Sequence, residues 1–162
     1  MRIGVVSDTH NNLKNVAKIV DLFNASRVER VVHTGDITQA KTLDLLAGLD
    51  APLYGVYGNN DVERDSLDRA ILNHGFTFCE PPFTACWAQQ QIIVVHDPRE
   101  FNGHLQTECN LALHGHTHLY RLETWGKHTV MFNPGECAGM MTGLNAIGIV
   151  DLVTLKTELL RF

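Results

Sequence analysis

The chain opens on a short apolar run, RIGVV at 2–6, that stops at the polar pair Ser7-Asp8. Residues 11–26 then set Leu13, Val16, Val20 and Phe23 at helical spacing behind two asparagines able to cap, which predicts an amphipathic helix. The alternation continues with a strand at 30–36, a helix at 38–49, a strand at 52–61 and a helix around 64–74. A β-α-β-α-β order builds parallel strands joined by crossover helices. From residue 83 the pattern changes. Short apolar runs at 83–88, 91–96, 111–115, 119–125, 128–133, 145–152 and 154–162 read as strands, with a hairpin turn at Gly126-Lys127. The pattern predicts α/β units leading into an antiparallel-rich half. No repeat or long linker divides the chain, so one domain is expected over 1–162.

Polar residues close many of these runs, and in open α/β sheets ligands bind beyond the carboxyl ends of strands. In order they are Asp8 and His10, Asp36, Asn59, His96, then His116 and His118 in the stretch HGHTH. The set holds carboxylates, an amide oxygen and neutral imidazoles, the last being the commonest metal ligands. It contains no cysteine, which disfavours a structural thiolate zinc site. It is also too large for one tetrahedral ion and suits two adjacent ions sharing one carboxylate. Asp8/His10 and His116/His118 are spaced i, i+2, which in an extended segment puts both side chains on one face. Gly35, Gly58 and Gly115 each precede a candidate ligand, where the chain must turn sharply and approach closely. The remaining imidazoles read as supporting or peripheral: His33 and His114 in the packing, and His74, His104 and His128 at the surface or in loops. His104 keeps some claim because its loop follows His96. Asp61 reads as a carboxylate orienting a ligand or water, and Asp97 as a solvated turn residue.

Composition narrows the partners. A formal net charge of −5 over 162 residues lacks the basic face that general nucleic-acid or acidic-membrane binding needs. It leaves open an anionic substrate held through metal. No apolar run approaches the ~20 residues of a membrane span, and the start of the chain lacks a secretory h-region, so a cytoplasmic location is expected. Cys79, Cys86, Cys109 and Cys137 show no paired spacing and read as reduced, mostly buried thiols.

D-x-H, G-D, G-N-x-D, an isolated His after a strand and G-H-T-H, in that order, resemble the calcineurin-like metallophosphoesterase superfamily. Within it they are most similar to the small single-domain prokaryotic phosphodiesterase branch. NPGE at 133–136 extends the resemblance over essentially the whole chain. The resemblance implies an α/β fold of two packed mixed β-sheets flanked by helices, a four-layer αββα sandwich. It implies one ion on Asp8, His10, Asp36 and His118 and another on Asp36, Asn59, His96 and His116. Mn2+ is the first expectation for both, with Zn2+, Fe2+, Ni2+ or Mg2+ as alternatives. Asn60 and Asp61 fall in the motif carrying catalytic residues, and Asn59 and Asn60 where substrate is contacted. The implied activity is a phosphoesterase, foremost a phosphodiesterase, in which a hydroxide bridging the two ions attacks a small phosphate ester. A homo-oligomer, dimer or tetramer, is compatible with it.

The alternative is a non-catalytic protein-binding scaffold on the same fold, like the superfamily's retromer subunit. A drifting scaffold tends to lose ligands, and here all seven positions are filled. Three departures from the pattern stand out. Asn60 occupies the place where related phosphatases carry a His able to protonate the leaving group. Glu136 replaces a usual Ser, with no Arg shortly after it, which predicts a missing anion contact. Asp97 follows His96 where Gly is common.

Overall fold

The computed structural model describes residues 1–103, 109–141 and 143–162. Strand β1 (Arg2–Val6), helix α1 (Leu13–Ser26), β2 (Arg30–His33), α2 (Ala40–Leu46), β3 (Leu53–Val56) and α3 (Arg64–His74) follow the predicted alternation. Asn12 caps α1 by accepting from the Asn15 N–H, and Val16, Ile19 and Phe23 form its buried face. The strands β1, β2 and β3 are parallel, as the crossovers require. A further strand, β4 (Thr77–Cys79), extends this sheet in parallel beyond β3. The hydrophobic pattern misses it because three residues at a sheet edge are too short to show a period.

The second half is antiparallel-rich, as expected, but not purely so. The strands β5 (Phe83–Trp87), β6 (Gln90–Val94), β7 (Leu111–Leu113), β8 (Arg121–Trp125) and β9 (Thr129–Asn133) form a sheet in the order β5-β6-β7-β9-β8. Its outer pairs are antiparallel, but β6–β7 and β7–β9 are parallel. The last two strands, β10 (Ala146–Asp151) and β11 (Lys156–Arg161), return to the first sheet, giving the order β11-β10-β1-β2-β3-β4. Alternation marks a segment as a strand but carries no label for its partner.

The two sheets pack face to face. Ile3 and Val5 of β1, Val32 of β2 and Val150 of β10 meet Ile92 and Val94 of β6, Leu111 and Leu113 of β7 and Phe132 of β9 in one buried layer. The period of two sends the alternate residues outward. On the first sheet these pack under the helices, where Val6, Ile147 and Ile149 share a core with Phe23, Leu43 and Leu67. On the second, Ile93, Ala112 and Met131 lie under Phe101 of a one-turn 3-10 helix, Pro98–Phe101. Among the described residues that turn is the whole fourth layer of the expected sandwich. No described helix is long and apolar enough to cross a membrane.

Several predicted strands end early. The run at 30–36 stops at His33, that at 52–61 at Val56, that at 91–96 at Val94 and that at 111–115 at Leu113. The polar residues that closed each run therefore lie in loops, all on one rim of the two sheets.

Candidate metal centre

The rim loops follow an unusual backbone path. Asp8, His10, Asp36, His116 and His118 all have positive φ, between 40° and 67°. Asp and His tolerate this left-handed region better than most residues, yet each such residue still costs about 1–3 kcal/mol. Surrounding structure must hold them there. The i, i+2 pairs are therefore not extended. Asp8 and His10 still converge, but His116 and His118 diverge into two different clusters. Gly35 sits at φ 102°, where a side chain is strained. Gly115 is needed for approach instead, since a Cβ there would overlap the Ser7 hydroxyl.

All seven predicted ligands come together. On one side His10 Nε2 and His118 Nε2 face each other at 3.3 Å. Asp8 Oδ1 lies 3.9 Å from the first and 3.5 Å from the second. On the other side His96 Nε2 and His116 Nδ1 are also 3.3 Å apart, and each is 3.0 Å from Asn59 Oδ1. Asp36 stands between, its Oδ2 3.3 Å from His10 Nε2 and 3.5 Å from His96 Nε2. Two imidazole nitrogens ~2.1 Å from one ion are about 3.0–3.4 Å apart at octahedral to tetrahedral angles. Both histidine pairs meet that spacing.

The carboxylates show the same design. Asp8 is fully buried, and its Oδ2 accepts from the Ser7 hydroxyl and the His116 N–H. Its Oδ1 has no hydrogen-bond partner among the described residues. A buried carboxylate oxygen left bare is costly, and a cation between Asp8, His10 and His118 removes the cost. The donors thus fit divalent metal. Two groups with closely spaced donor atoms emerge, Asp8-His10-His118 and Asp8-Asp36-His96.

Burial pushes the Asp8 carboxyl up from its ordinary range, more than its Ser7 hydrogen bond and neighbouring imidazoles pull it down. Burial also acts on Asp36, but bonds from His96 and Asn60 outweigh it and hold that carboxyl below its usual range. His96 is the counterpart. Desolvation works against its charge, yet Asp36 and Asp8 raise it to about 9. Without an ion, a protonated His96 partly balances the two carboxylates.

The neighbours of these seven differ in part from expectation. The Asn60 side chain donates to Asp36 Oδ2 at 2.7 Å and its backbone N–H to Oδ1 at 2.9 Å. Asp61 faces the backbone of the two loops. Its carboxylate accepts the N–H groups of Asp36, Thr38 and Gly58, at 3.0, 2.6 and 2.7 Å, and so ties the loop after β2 to the loop after β3. Asp97 is not a solvated turn residue. It caps the 3-10 helix, binds Arg99, and turns Oδ2 to within 3.5 Å of His116 Nε2. Glu136 is wholly buried, and its Oε2 lies 3.4 Å from His118 Nδ1. In the sequence both showed only as departures from a pattern.

His33 and His114 are buried in support, as read from the sequence. His33 accepts the Gly35 N–H and reaches the Thr9 hydroxyl, and burial lowers it to about 3. His114 packs edge-on to Phe101, and burial lowers it too. His74 pairs with Asp44 at the surface and His128 is exposed. His104 lies outside the described residues. Cys109 and Cys137 are buried, Cys79 is half-buried and Cys86 exposed, all as free thiols. A cleft of about 470 Å3 opens beside His96 and His116, walled by Tyr57, Arg64, Glu80 and Arg99. Arg64 pairs there with Glu80 and Arg99 with Asp97, and the sequence reading singled out neither arginine. Their signal, three residues after a ligand motif in each case, is too common to read alone.

Known proteins resemble this chain in sequence and fold. Phosphodiesterase MJ0936 of Methanocaldococcus jannaschii is 32% identical over 162 residues, covering 93% of each chain. A solved archaeal phosphodiesterase superposes with a TM-score of 0.91 at 28% identity over the full length of both chains. Vps29 of Chaetomium thermophilum, 15% identical, covers 100% of this chain and 94% of its own with a TM-score of 0.72, which shows the fold alone. Residues 1–155 match the calcineurin-like phosphoesterase superfamily domain. The chain belongs to the calcineurin-like phosphoesterase superfamily and is a hydrolase acting on phosphoric ester bonds.

Proposed function

We propose that the protein is a metal-dependent phosphodiesterase holding two divalent ions, Mn2+ foremost, on its seven rim donors. One observation carries the reading. Two imidazole pairs, each 3.3 Å apart, flank Asp36 Oδ2, beside a buried Asp8 oxygen that has no hydrogen-bond partner among the described residues. Asp8, His10, Asp36 and His118 would hold one ion, and Asp36, Asn59, His96 and His116 the other. Such a pair supplies hydroxide at neutral pH and neutralises charge on the phosphoryl oxygens.

The chain's own residues set the rest. Asn59 and Asn60 present amides to the centre, and Asn60 steadies Asp36. An amide cannot deliver a proton at neutral pH, so Asn60 leaves the departing oxygen unprotonated. That favours small esters with acidic leaving groups. The cleft beside His96 and His116 is where one arm of such a diester would lie, between Tyr57, Arg64 and Arg99.

The test is metal content per chain together with hydrolysis of bis-p-nitrophenyl phosphate, with and without added Mn2+. The expected result is two ions per chain and turnover that chelation removes. A single ion at full activity overturns the two-ion reading. Two ions without hydrolysis of any phosphate ester favour the protein-binding scaffold on this fold.

A further inference from the structure

Two of the departures from the family pattern, Glu136 and Asp97, emerge behind two of the candidate ligands. His118 has Nε2 beside Asp8 and His10, and its Nδ1 lies within ion-pair distance of Glu136 Oε2, at 3.4 Å. His116 is turned the other way round. Its Nδ1 is beside Asn59 and His96, and its Nε2 lies within ion-pair distance of Asp97 Oδ2, at 3.5 Å. A neutral imidazole binds metal through one nitrogen and carries its proton on the other. A carboxylate at the far nitrogen fixes which is which, aims the ring and strengthens the donor. Of the other two rim imidazoles, His96 has a neutral acceptor instead, the Thr34 carbonyl 2.9 Å from Nδ1.

We propose that Glu136 and Asp97 are positioning residues, one for each candidate ion, that lock His118 and His116 into opposite metal-binding tautomers. The proposal rests on the metal-dependent reading of the site. The two carboxylates are built differently. Glu136 is wholly buried, pinned by the Met140 and Met141 N–H groups at 3.3 and 2.8 Å, and has no Lys or Arg partner among the described residues. No cationic side chain competes with His118 for its charge among the described residues. Asp97 shares its oxygens with the Arg99 side chain and backbone N–H, so His116 receives only part of its charge. Glu136 is therefore the stronger of the two.

The experiment measures stepwise metal affinity by chelator competition in the wild type, Glu136→Gln and Asp97→Asn. Long-range proton–nitrogen NMR of the zinc-loaded wild type reads the histidine tautomers. In Glu136→Gln an amide N–H2 can face His118 Nδ1 and push the proton to Nε2, where it blocks the ion. One ion should weaken by ~10–100-fold, the usual effect of removing such a partner, while the other binds as before. Asp97→Asn should weaken the other ion by less. Glu136→Asp, which keeps the charge on a shorter arm, should recover part of the loss. The wild-type spectrum should show His118 protonated on Nδ1 and His116 on Nε2. Two ions bound by Glu136→Gln with wild-type affinities, or the reverse tautomers in the wild type, would overturn the proposal alone. A wild type that takes up no metal sinks the functional reading as well. If Glu136→Gln fails to fold, the affinities of Glu136→Asp and Asp97→Asn against the wild type decide the proposal.

Discussion

The two halves of the candidate centre are matched in imidazoles and unmatched in charge. The His10/His118 half contains Asp8, whose side chain is fully buried and whose Oδ1 has no hydrogen-bond partner among the described residues. The His96/His116 half has the Asn59 amide in the corresponding place, and its His116 side chain is 34% exposed. Both share Asp36. In the proposed ligand sets an ion in the first half would have two buried carboxylates as ligands, and one in the second only Asp36, with Asp8 near it. Attraction between charges grows as the local dielectric falls. On the proposed two-ion reading, the first half would retain its ion and the second, opening on the cleft, would exchange it and meet substrate.

Removing the shared ligand should have the largest effect. Asp36→Asn takes a charge from both halves at once and should lower activity by more than about 10³-fold, beyond the ~10–100-fold of an outer partner. His10→Ala, which touches one half, should lose less. Near-wild-type turnover of Asp36→Asn at low metal would show that the halves do not share a ligand.

Exchanging charge between the halves is the sharper test. Wild-type Mn2+ binding should occur in two resolved steps. Asn59→Asp should tighten the weaker step by at least ~10-fold, given that a nearby charge contributes ~4 kcal/mol at an intermediate dielectric, and so draw the two steps together. Asp8→Asn should abolish the tighter one. Equal affinities in the wild type, by calorimetry or chelator competition, would break the comparison.

Asn60 allows a test of the chemistry. General acid help is worth at most ~10²–10⁴-fold, so wild-type rates should fall steeply as the leaving group's pKa rises. Asn60→His should flatten that dependence, raising alkyl-ester rates by part of this range and leaving aryl rates little changed. A flat wild-type dependence, with chemistry rate-limiting, means that another group gives the proton.

The smallest effects are on stability. His33 sits at about 3, far below the 6.5 of a free imidazole, so the unfolded chain gains a proton that the folded chain refuses. Stability should therefore be intact above pH 6.5 and decline toward pH 3, by up to ~1.4 kcal/mol per unit. His96 runs the other way. Held at about 9 without metal, it contributes stability below pH 6.5 that is lost as pH rises to 9. Bound metal displaces that proton and should erase the alkaline decline but not the acid one. Denaturant midpoints at pH 5, 6.5 and 8.5, with and without Mn2+, would show whether it does.

The elements on the chain and the seven donors were legible in the sequence because both are local. Short apolar runs mark β1, β2 and β3, helical spacing marks α1, and a polar residue ending an apolar run marks the rim. Partnership was not local. Nothing in residues 145–162 announces that β10 and β11 join β1, or that β7 lies parallel between β6 and β9, since hydrogen bonding between strands is the same whichever strand supplies it. Side-chain direction was hidden for the same reason. Spacing put His116 and His118 on one face, but left-handed backbone at both sends them to different halves. Glu136 and Asp97 are distant in sequence from the rings they face, or turned by a cap, so only the folded chain brings them behind His118 and His116. Residue type determined what chemistry the rim could do. Tertiary structure decided which groups act together, because distance and orientation between segments are set by packing the two sheets, not by either segment alone.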